Sequence, residues 1–236
     1  MRKLRCYTDQ ELQTDKTIEL DEHSAHHLRT VLRASIGQNI EFFNGNGNNY
    51  DAELTAVTKK KVTAHIANCS VNPTQVKRLI NLQQALIKPE RMDWLIQKAT
   101  ELGVHQIQLL KTERVNFNLN VHRLEKKLKH WQNISISAAQ QCGRSDIPVI
   151  LTPISITELP LVEDQNGVVL HPYTQKKMVF PKHQEIHIAI GPEGGFTDDE
   201  IQKFNQLNYT ETSLDGYILR AETAAITSIN LAMLYG

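Results

Sequence analysis

The chain has 236 residues, 40% of them apolar and 22% charged, and 26 Lys and Arg balance 26 Asp and Glu. These are ordinary globular values, and the length admits one large domain or two smaller ones that fold without disulfides or metal. No unbroken apolar run reaches the ~18 residues a bilayer span needs, which excludes a spanning helix.

The opening, Met1 to Lys16, carries charge throughout and has no apolar stretch ending in small residues, so no secretory leader and a cytoplasmic location are expected. Cys6, Cys69 and Cys142 are far apart and have no Cys-x-x-Cys spacing, which argues against a disulfide framework and against a zinc ribbon. The zero net charge hides an asymmetry: residues 1–70 hold 9 basic and 9 acidic side chains, residues 71–150 hold 12 and 6, and residues 151–236 hold 5 and 11. The middle segment is either an electrostatic footprint for phosphates or a chance clustering of surface charge, and charge alone does not decide between them.

Along the first seventy residues, short strand patterns alternate with turns. Asp21 to Ala34 is the exception, with Ala25, Leu28 and Leu32 at helical spacing and Gly37 soon after. Asn39 to Phe43 reads as a strand, Asn44-Gly45-Asn46-Gly47 as a tight turn, and Tyr50, Ala52, Leu54 and Ala56 as the buried face of a returning strand. Val62, Ala64 and Ile66 continue the alternation, giving a small β unit, a compact barrel with one helix, closed by a linker over residues 70–76.

Beyond the linker the rhythm becomes strand, helix, strand, helix. Leu79 to Leu86 is a strand, and Pro89 sits where a first-turn proline is tolerated. Met92, Leu95, Ile96, Ala99 and Leu102 mark one face of a helix that Gly103 closes. Val104 to Leu110 is a strand, Leu124 to Gln141 a helix stopped at Gly143, and Ile147 to Leu151 a strand. Val168 to Leu170 and Ile186 to Ile190 are short continuous apolar runs, typical of strands covered on both faces. Thr197 and Glu200 form a capping box. The last helix, Ala221 to Tyr235, is apolar almost all round, so it is either deeply packed or part of a subunit interface. The order predicts an α/β domain with a mostly parallel sheet over residues 73–236, preceded by the β unit over residues 1–72.

The most informative stretch is Ile190-Gly191-Pro192-Glu193-Gly194-Gly195-Phe196, between a buried strand and a capped helix. Ligands of parallel sheets sit at strand C-termini, where glycines let backbone approach them. It has neither the Lys-Ser/Thr of a Walker loop nor the Gly-x-Gly-x-x-Gly spacing of a dinucleotide fold, so it is no phosphate cradle. Leu170-His171-Pro172 and the run from Leu214 to Ala224 end strands in the same way, and the three loops are placed to meet at one pocket. Taken singly, His171 reads as structural and Glu222 as a favourable charge at the positive end of a helix. Arg220, beside a glycine loop and just before an apolar helix, is harder to read as a solvated charge. Gly45-x-Gly47 is a hairpin turn, and His23, His26 and His27 with a distant Cys69 make a poor metal set, so no metal is expected.

These three loops, together with Lys88-Pro89-Glu90-Arg91-Met92-Asp93-Trp94-Leu95, Ala138-Ala139-Gln140-Gln141-Cys142-Gly143-Arg144 and Ala25-His26-His27-Leu28-Arg29-Thr30-Val31-Leu32-Arg33, resemble the RsmE family in order over almost the whole chain. The family methylates N3 of a uridine in the 16S ribosomal RNA of the small subunit. The resemblance implies a SPOUT-type domain with a C-terminal trefoil knot, an N-terminal PUA-like β-barrel, S-adenosylmethionine as methyl donor and a homodimer. There are departures. The family pattern Leu-Gly-x-Arg-Ile-Leu-Arg-Thr-Glu-Thr-Ala meets Asp215, Tyr217 and Ala221 at its glycine, first arginine and first threonine, and Thr112-Glu113-Arg114-Val115-Asn116 lacks the usual serine. Gly216 supplies flexibility one position after the missing glycine.

Under that resemblance, Arg220 meets the negative charge that develops on the uracil, and Glu222 accepts the N3 proton or orients the arginine. The cofactor pocket is expected from Leu170, His171 and Pro172 in the first loop and from Ile190, Gly191, Glu193, Gly194 and Gly195 in the second. The third contributes Leu214, Gly216, Ile218, Leu219, Thr223 and Ala224. Arg5, Arg29, Arg33, Arg91, Arg114 and Arg144 are the expected phosphate contacts. Two alternatives stay open: a SPOUT enzyme acting on a ribose 2′-OH, and a catalytically silent RNA-binding or ribosome assembly protein.

Overall fold

The computed structural model describes residues 4–73, 78–115, 121–163, 166–179, 184–214 and 216–235. Part of the expected linker, Asn116 and Asp215 lie outside the described residues. The chain divides into two compact units, Met1–Gln75 with Ile136–Ile147, and Val76–Ser135 with Pro148–Gly236.

In the first unit β1 (Leu4–Tyr7), β2 (Thr17–Glu19), β3 (Asn39–Phe43), β4 (Asn48–Val57) and β5 (Val62–Val71) form one sheet in the order β1-β3-β4-β5-β2. Alternation drives it. Ile40 and Phe42 of β3, Tyr50, Ala52 and Leu54 of β4, and Val62, Ala64 and Ile66 of β5 are all buried in one core with Ala25 and Leu28. Gly45 and Gly47 turn β3 into β4 at φ of 91° and 85°, a backbone region that costs glycine little. The helix expected over Asp21 to Ala34 is shorter and changes pitch: α1 (Glu22–His26) passes into a π-helical turn over His27–Val31. Asp21 opens it by accepting from the Ser24 N–H at 3.0 Å, and Arg33, at φ 49°, ends it. Residues 136–147 belong to this unit, where the Asn72 amide donates to the Gly143 carbonyl at 2.8 Å.

The second unit is built on a six-stranded sheet. Its strands are β6 (Leu79–Ala85), β7 (Gln106–Lys111), β8 (Val149–Ser155), β9 (Gly167–Leu170), β10 (Glu185–Ile190) and β11 (Tyr209–Thr212). They lie in the order β11-β9-β10-β6-β7-β8, and every pair is parallel. The helices are α2 (Pro89–Glu101), the part up to Ser135 of α3 (Val121–Cys142), whose remaining residues belong to the first unit, α4 (Asp198–Gln206) and α5 (Ala221–Tyr235). Both faces of the sheet are covered, and its buried positions are mostly apolar, with Asn81, Gln83 and Gln84 of β6 and Gln108 of β7 as buried polar exceptions. Ile80, Leu82, Ile186 and Ile188 pack with Met92, Leu95 and Ile96 of α2 and Ala225 and Ile229 of α5. Ala85, Val169 and Ala189 pack on the other side with Phe196 and with Ile201 and Phe204 of α4.

The Thr197–Glu200 capping box forms as expected, and Gly103 and Gly143 follow α2 and α3 at φ of 90° and 94°. Small residues let α5 approach closely, with Ala221, Ala224, Ala225, Ser228, Ile229 and Ala232 buried. Its far end is open, Leu234 and Tyr235 being exposed. The chain lays down β6, β7 and β8 outward, then crosses to β9 and inserts β10 between β9 and β6. The direction of build-up therefore reverses at the centre of the sheet, which is where parallel sheets bind ligands beyond their strand ends.

Candidate active site

Three adjacent strands, β11, β9 and β10, end on the same edge, so the segments that follow them are brought together. They line a cavity of about 440 Å³, within the usual range for small-molecule sites. After β10 comes Gly191 to Phe196. The Gly195 N–H donates to the Pro192 carbonyl at 2.9 Å, closing a turn with Gly195 at φ 70°. A Cβ on Gly191 would come within 3.2 Å of the Phe196 amide nitrogen, and one on Gly194 within 3.2 Å of Arg114 Cβ, both tighter than ordinary contacts, so either side chain would need its neighbour to give by a few tenths of an ångström. Arg114 clasps this loop from outside β7, donating through Nη1 to the carbonyls of Gly194 at 2.9 Å and Phe196 at 3.3 Å.

After β9, the His171 N–H donates to the Thr212 carbonyl at 2.9 Å, tying the first loop to the end of β11. The His171 ring lies 3.3 Å from Glu211 Oε2, and Asn205 donates to Glu211 Oε1 at 3.0 Å. Those two side chains, Asn205 first, hold the Glu211 carboxyl below its usual range. After β11, the Arg220 carbonyl accepts from the Ala224 N–H at 2.8 Å, opening α5.

Of the expected cofactor residues, Leu170, His171, Pro172, Ile190, Gly191, Glu193, Gly194, Gly195, Leu214, Gly216, Ile218, Leu219 and Ala224 line this one cavity, and Thr223 does not. Arg220 lines it too, and its exposed side chain has no hydrogen bond or ion pair among the described residues. Glu222 stands just behind. Its Oε1 lies 3.8 Å from Arg91 Nε, and its Oε2 is buried with no partner among the described residues. Tyr217 lines the mouth and is 94% exposed.

The expected phosphate contacts scatter. Arg5 and Arg144 depart from that expectation because both are buried. Arg5 pairs with Glu41 at 2.5 Å and donates to the Arg144 carbonyl and the Ser145 hydroxyl, while Arg144 pairs with Asp146 at 2.5 Å. Arg29 pairs with Glu22 at 2.7 Å. Arg33 is exposed. Arg91 and Arg114 are lining residues of the cavity instead, as are Tyr173, Thr212 and Ser213, which the reading of the sequence missed. Thr212 carries a buried hydroxyl without a partner among the described residues. Only β-strand adjacency brings it there, and β11 has no strong apolar pattern to announce it. Among the described residues, no group of three or more His, Cys, Asp or Glu is placed to hold a metal ion, and no helix is long and apolar enough to cross a membrane.

The parallel sheet and the glycine-walled pocket on its three strand ends lie within the part of the chain that an RNA methyltransferase family model covers. Residues 74–233 match the RNA methyltransferase domain, and residues 20–67 match the RNA methyltransferase PUA domain. The chain is 33% identical to the ribosomal RNA small subunit methyltransferase E of Buchnera aphidicola subsp. Schizaphis graminum, over 95% of this chain and 93% of the relative. It is 30% identical to that of Rickettsia conorii, over 100% and 97%. The ribosomal RNA small subunit methyltransferase E of Neisseria gonorrhoeae, solved bound to S-adenosyl methionine, superposes with a TM-score of 0.91 at 31% identity, covering 99% of this chain and 98% of that one. A Legionella pneumophila protein solved with the bound cofactor SAM gives the same TM-score at 34% identity, covering 98% and 97%. The chain belongs to the ribosomal RNA small subunit methyltransferase E family.

Proposed function

We propose that this chain transfers a methyl group from S-adenosylmethionine to N3 of a uridine in the 16S ribosomal RNA of the small subunit. The observation that carries this is the convergence of the three loops on one cavity with Arg220 uncommitted at its edge. Supporting it are full-length relatives of that name and neighbours solved with the cofactor. The residues present suit such a ligand. Backbone free of side chains at Gly191, Gly194 and Gly195, the Thr212 hydroxyl, which has no partner among the described residues, and the carboxylate of Glu193 offer groups to adenine, ribose and a cationic methionine part.

The cofactor, when bound, supplies a methyl carbon activated by its sulfonium. What the protein adds is position and charge. Uridine N3 carries a proton, and as the proton leaves, negative charge spreads onto O2 and O4. The Arg220 guanidinium meets that charge, and Glu222 is the nearby carboxylate for the proton or for orienting the arginine. Holding both reactants in line supplies much of the remaining acceleration. The base enters unstacked, since N3 is hidden in a paired nucleotide.

In this reading the N-terminal unit is a PUA-like barrel that binds RNA, the C-terminal unit is a SPOUT domain with a trefoil knot, and the enzyme is a cytoplasmic homodimer. Nucleoside mass spectrometry of small-subunit RNA treated with enzyme and cofactor tests the reaction. N3-methyluridine is expected, a 2′-O-methyl product points to the ribose reading, and no product together with no cofactor binding in calorimetry points to a silent assembly protein. Light scattering at micromolar protein tests the dimer, which a monomeric mass overturns.

A further inference from the structure

Three arginines line the cavity: Arg114 is bound to the carbonyls of Gly194 and Phe196, and the other two stand differently toward the carboxylates of Glu193 and Glu222. Arg91, in the first turn of α2, reaches both acids: its Nη1 lies 3.5 Å from Glu193 Oε1, and its Nε lies 3.8 Å from Glu222 Oε1. The pairs are sheltered, the three side chains being 31%, 30% and 12% exposed. Glu193 is held a second time, accepting from the Lys88 N–H at 3.2 Å at the N-terminus of α2, where a negative charge is favoured. Arg220 projects into the same cavity and has no acidic partner among the described residues.

We propose that Arg91 is a positioning residue that engages Glu193 and Glu222 and so keeps both carboxylates off Arg220, leaving the Arg220 guanidinium uncommitted for the anion that develops on the uracil. The physical reason is competition. A guanidinium close to a free carboxylate forms a charge-assisted pair readily, and an arginine so paired meets a new negative charge less well. Without Arg91, Glu222 would lose that ion pair and Glu193 would keep the Lys88 N–H, and Arg220, lining the same cavity without an acidic partner among the described residues, would be a cation available to answer them. The inference rests on the role assigned to Arg220 above and adds a second arginine that acts through it without touching the base.

A double-mutant cycle reads this directly. Arg91→Ala, Arg220→Ala and the double variant are compared by single-turnover methylation of small-subunit RNA, by S-adenosylmethionine titration and by thermal melts. Arg91→Ala is expected to slow methylation at saturating cofactor about 10- to 100-fold, within the loss that removal of one charge-stabilising donor brings. The double variant is expected to match Arg220→Ala within about threefold, because one residue acts through the other. Arg91→Lys keeps the charge and recovers part of the rate.

The melts give a readout independent of catalysis. Arg220→Ala leaves the melt of the parent unchanged, yet lowers that of the Arg91→Ala protein by about 2 °C or more, since there Arg220 has become the partner of Glu222. If Arg91→Ala unfolds the protein, Arg91→Met, which keeps the packed stem and loses the charge, carries the same cycle. Losses that multiply in the double variant, or additive melts, overturn the proposal. If Arg220→Ala alone leaves the rate unchanged, the reading of Arg220 falls and this inference with it. If Arg220→Ala is crippling and Arg91→Ala multiplies with it, only the role of Arg91 falls.

Discussion

Replacing Arg220 with alanine separates chemistry from structure, because this side chain holds nothing else in place. It is exposed, and no described residue forms a hydrogen bond or ion pair with it. Its removal leaves no buried group unsatisfied, so stability is expected to stay within about 0.5 kcal/mol of the parent. Its carbonyl, which opens α5 by accepting from Ala224, is retained in the variant. The cost falls on the step in which the uracil becomes anionic. Losing one such donor typically lowers the rate about 10²–10³-fold, equivalent to about 2.7–4 kcal/mol of transition-state stabilisation. Arg220→Lys is expected to recover part of this, because an ammonium keeps the charge but not the planar fork that addresses two acceptors. Single-turnover methylation of small-subunit RNA, run beside cofactor titration and a thermal melt, gives all three quantities. The reasoning is refuted if the rate stays within about threefold of the parent, if cofactor affinity falls as far as the rate, or if the melt drops by several degrees.

S-adenosylmethionine at a hundred times its Kd should stabilise the folded chain by about 2.7 kcal/mol, and a melt unmoved by millimolar cofactor would sink the proposed pocket. Arg5→Ala removes a buried cation from Glu41 and from the Arg144 carbonyl and Ser145 hydroxyl, so it should destabilise the N-terminal unit by about 3–5 kcal/mol. Weakened RNA binding with unchanged stability in denaturant would instead make Arg5 a phosphate contact. Burial holds the His187 imidazole below its ordinary value of 6.5, with Glu185 opposing the shift. The unfolded chain thus binds the proton more readily, and the stability this neutral ring contributes is present above pH 6.5 and is lost as pH falls from there through the folded value. Melts between pH 7.5 and about 5 should therefore fall less steeply in His187→Gln than in the parent, and parallel curves would refute the assignment.

The cavity also contains groups that could not have been assigned from their neighbours in sequence. Glycine, proline and cap residues state backbone geometry locally. Gly191 to Phe196 followed by the Thr197–Glu200 box announces a loop and a helix start, and the structure has them there, as it has α5 at Ala221–Tyr235. Apolar period likewise marked β3, β6, β10 and the buried face of α2. Short edges were silent: β2 has three residues and β11 four, too few for a pattern to rise above the surrounding chain.

Charge was the least legible property. Arg5, Arg91, Arg114 and Arg144 are equivalent letters in the sequence, yet two are buried ion-pair members, one clasps the glycine loop and one stands between Glu193 and Glu222. The sequence by itself determined what depends on a few consecutive residues: the turns, caps, strand and helix periods, and the three strand-end loops. Only the tertiary structure decided which of those loops share a wall and which arginine of the cavity has no acidic partner among the described residues while making no side-chain hydrogen bond there. Both follow from inserting β10 between β9 and β6, a long-range choice set by burying apolar surface on both faces of one sheet, and a guanidinium takes its role from the partners that choice brings within a few ångströms.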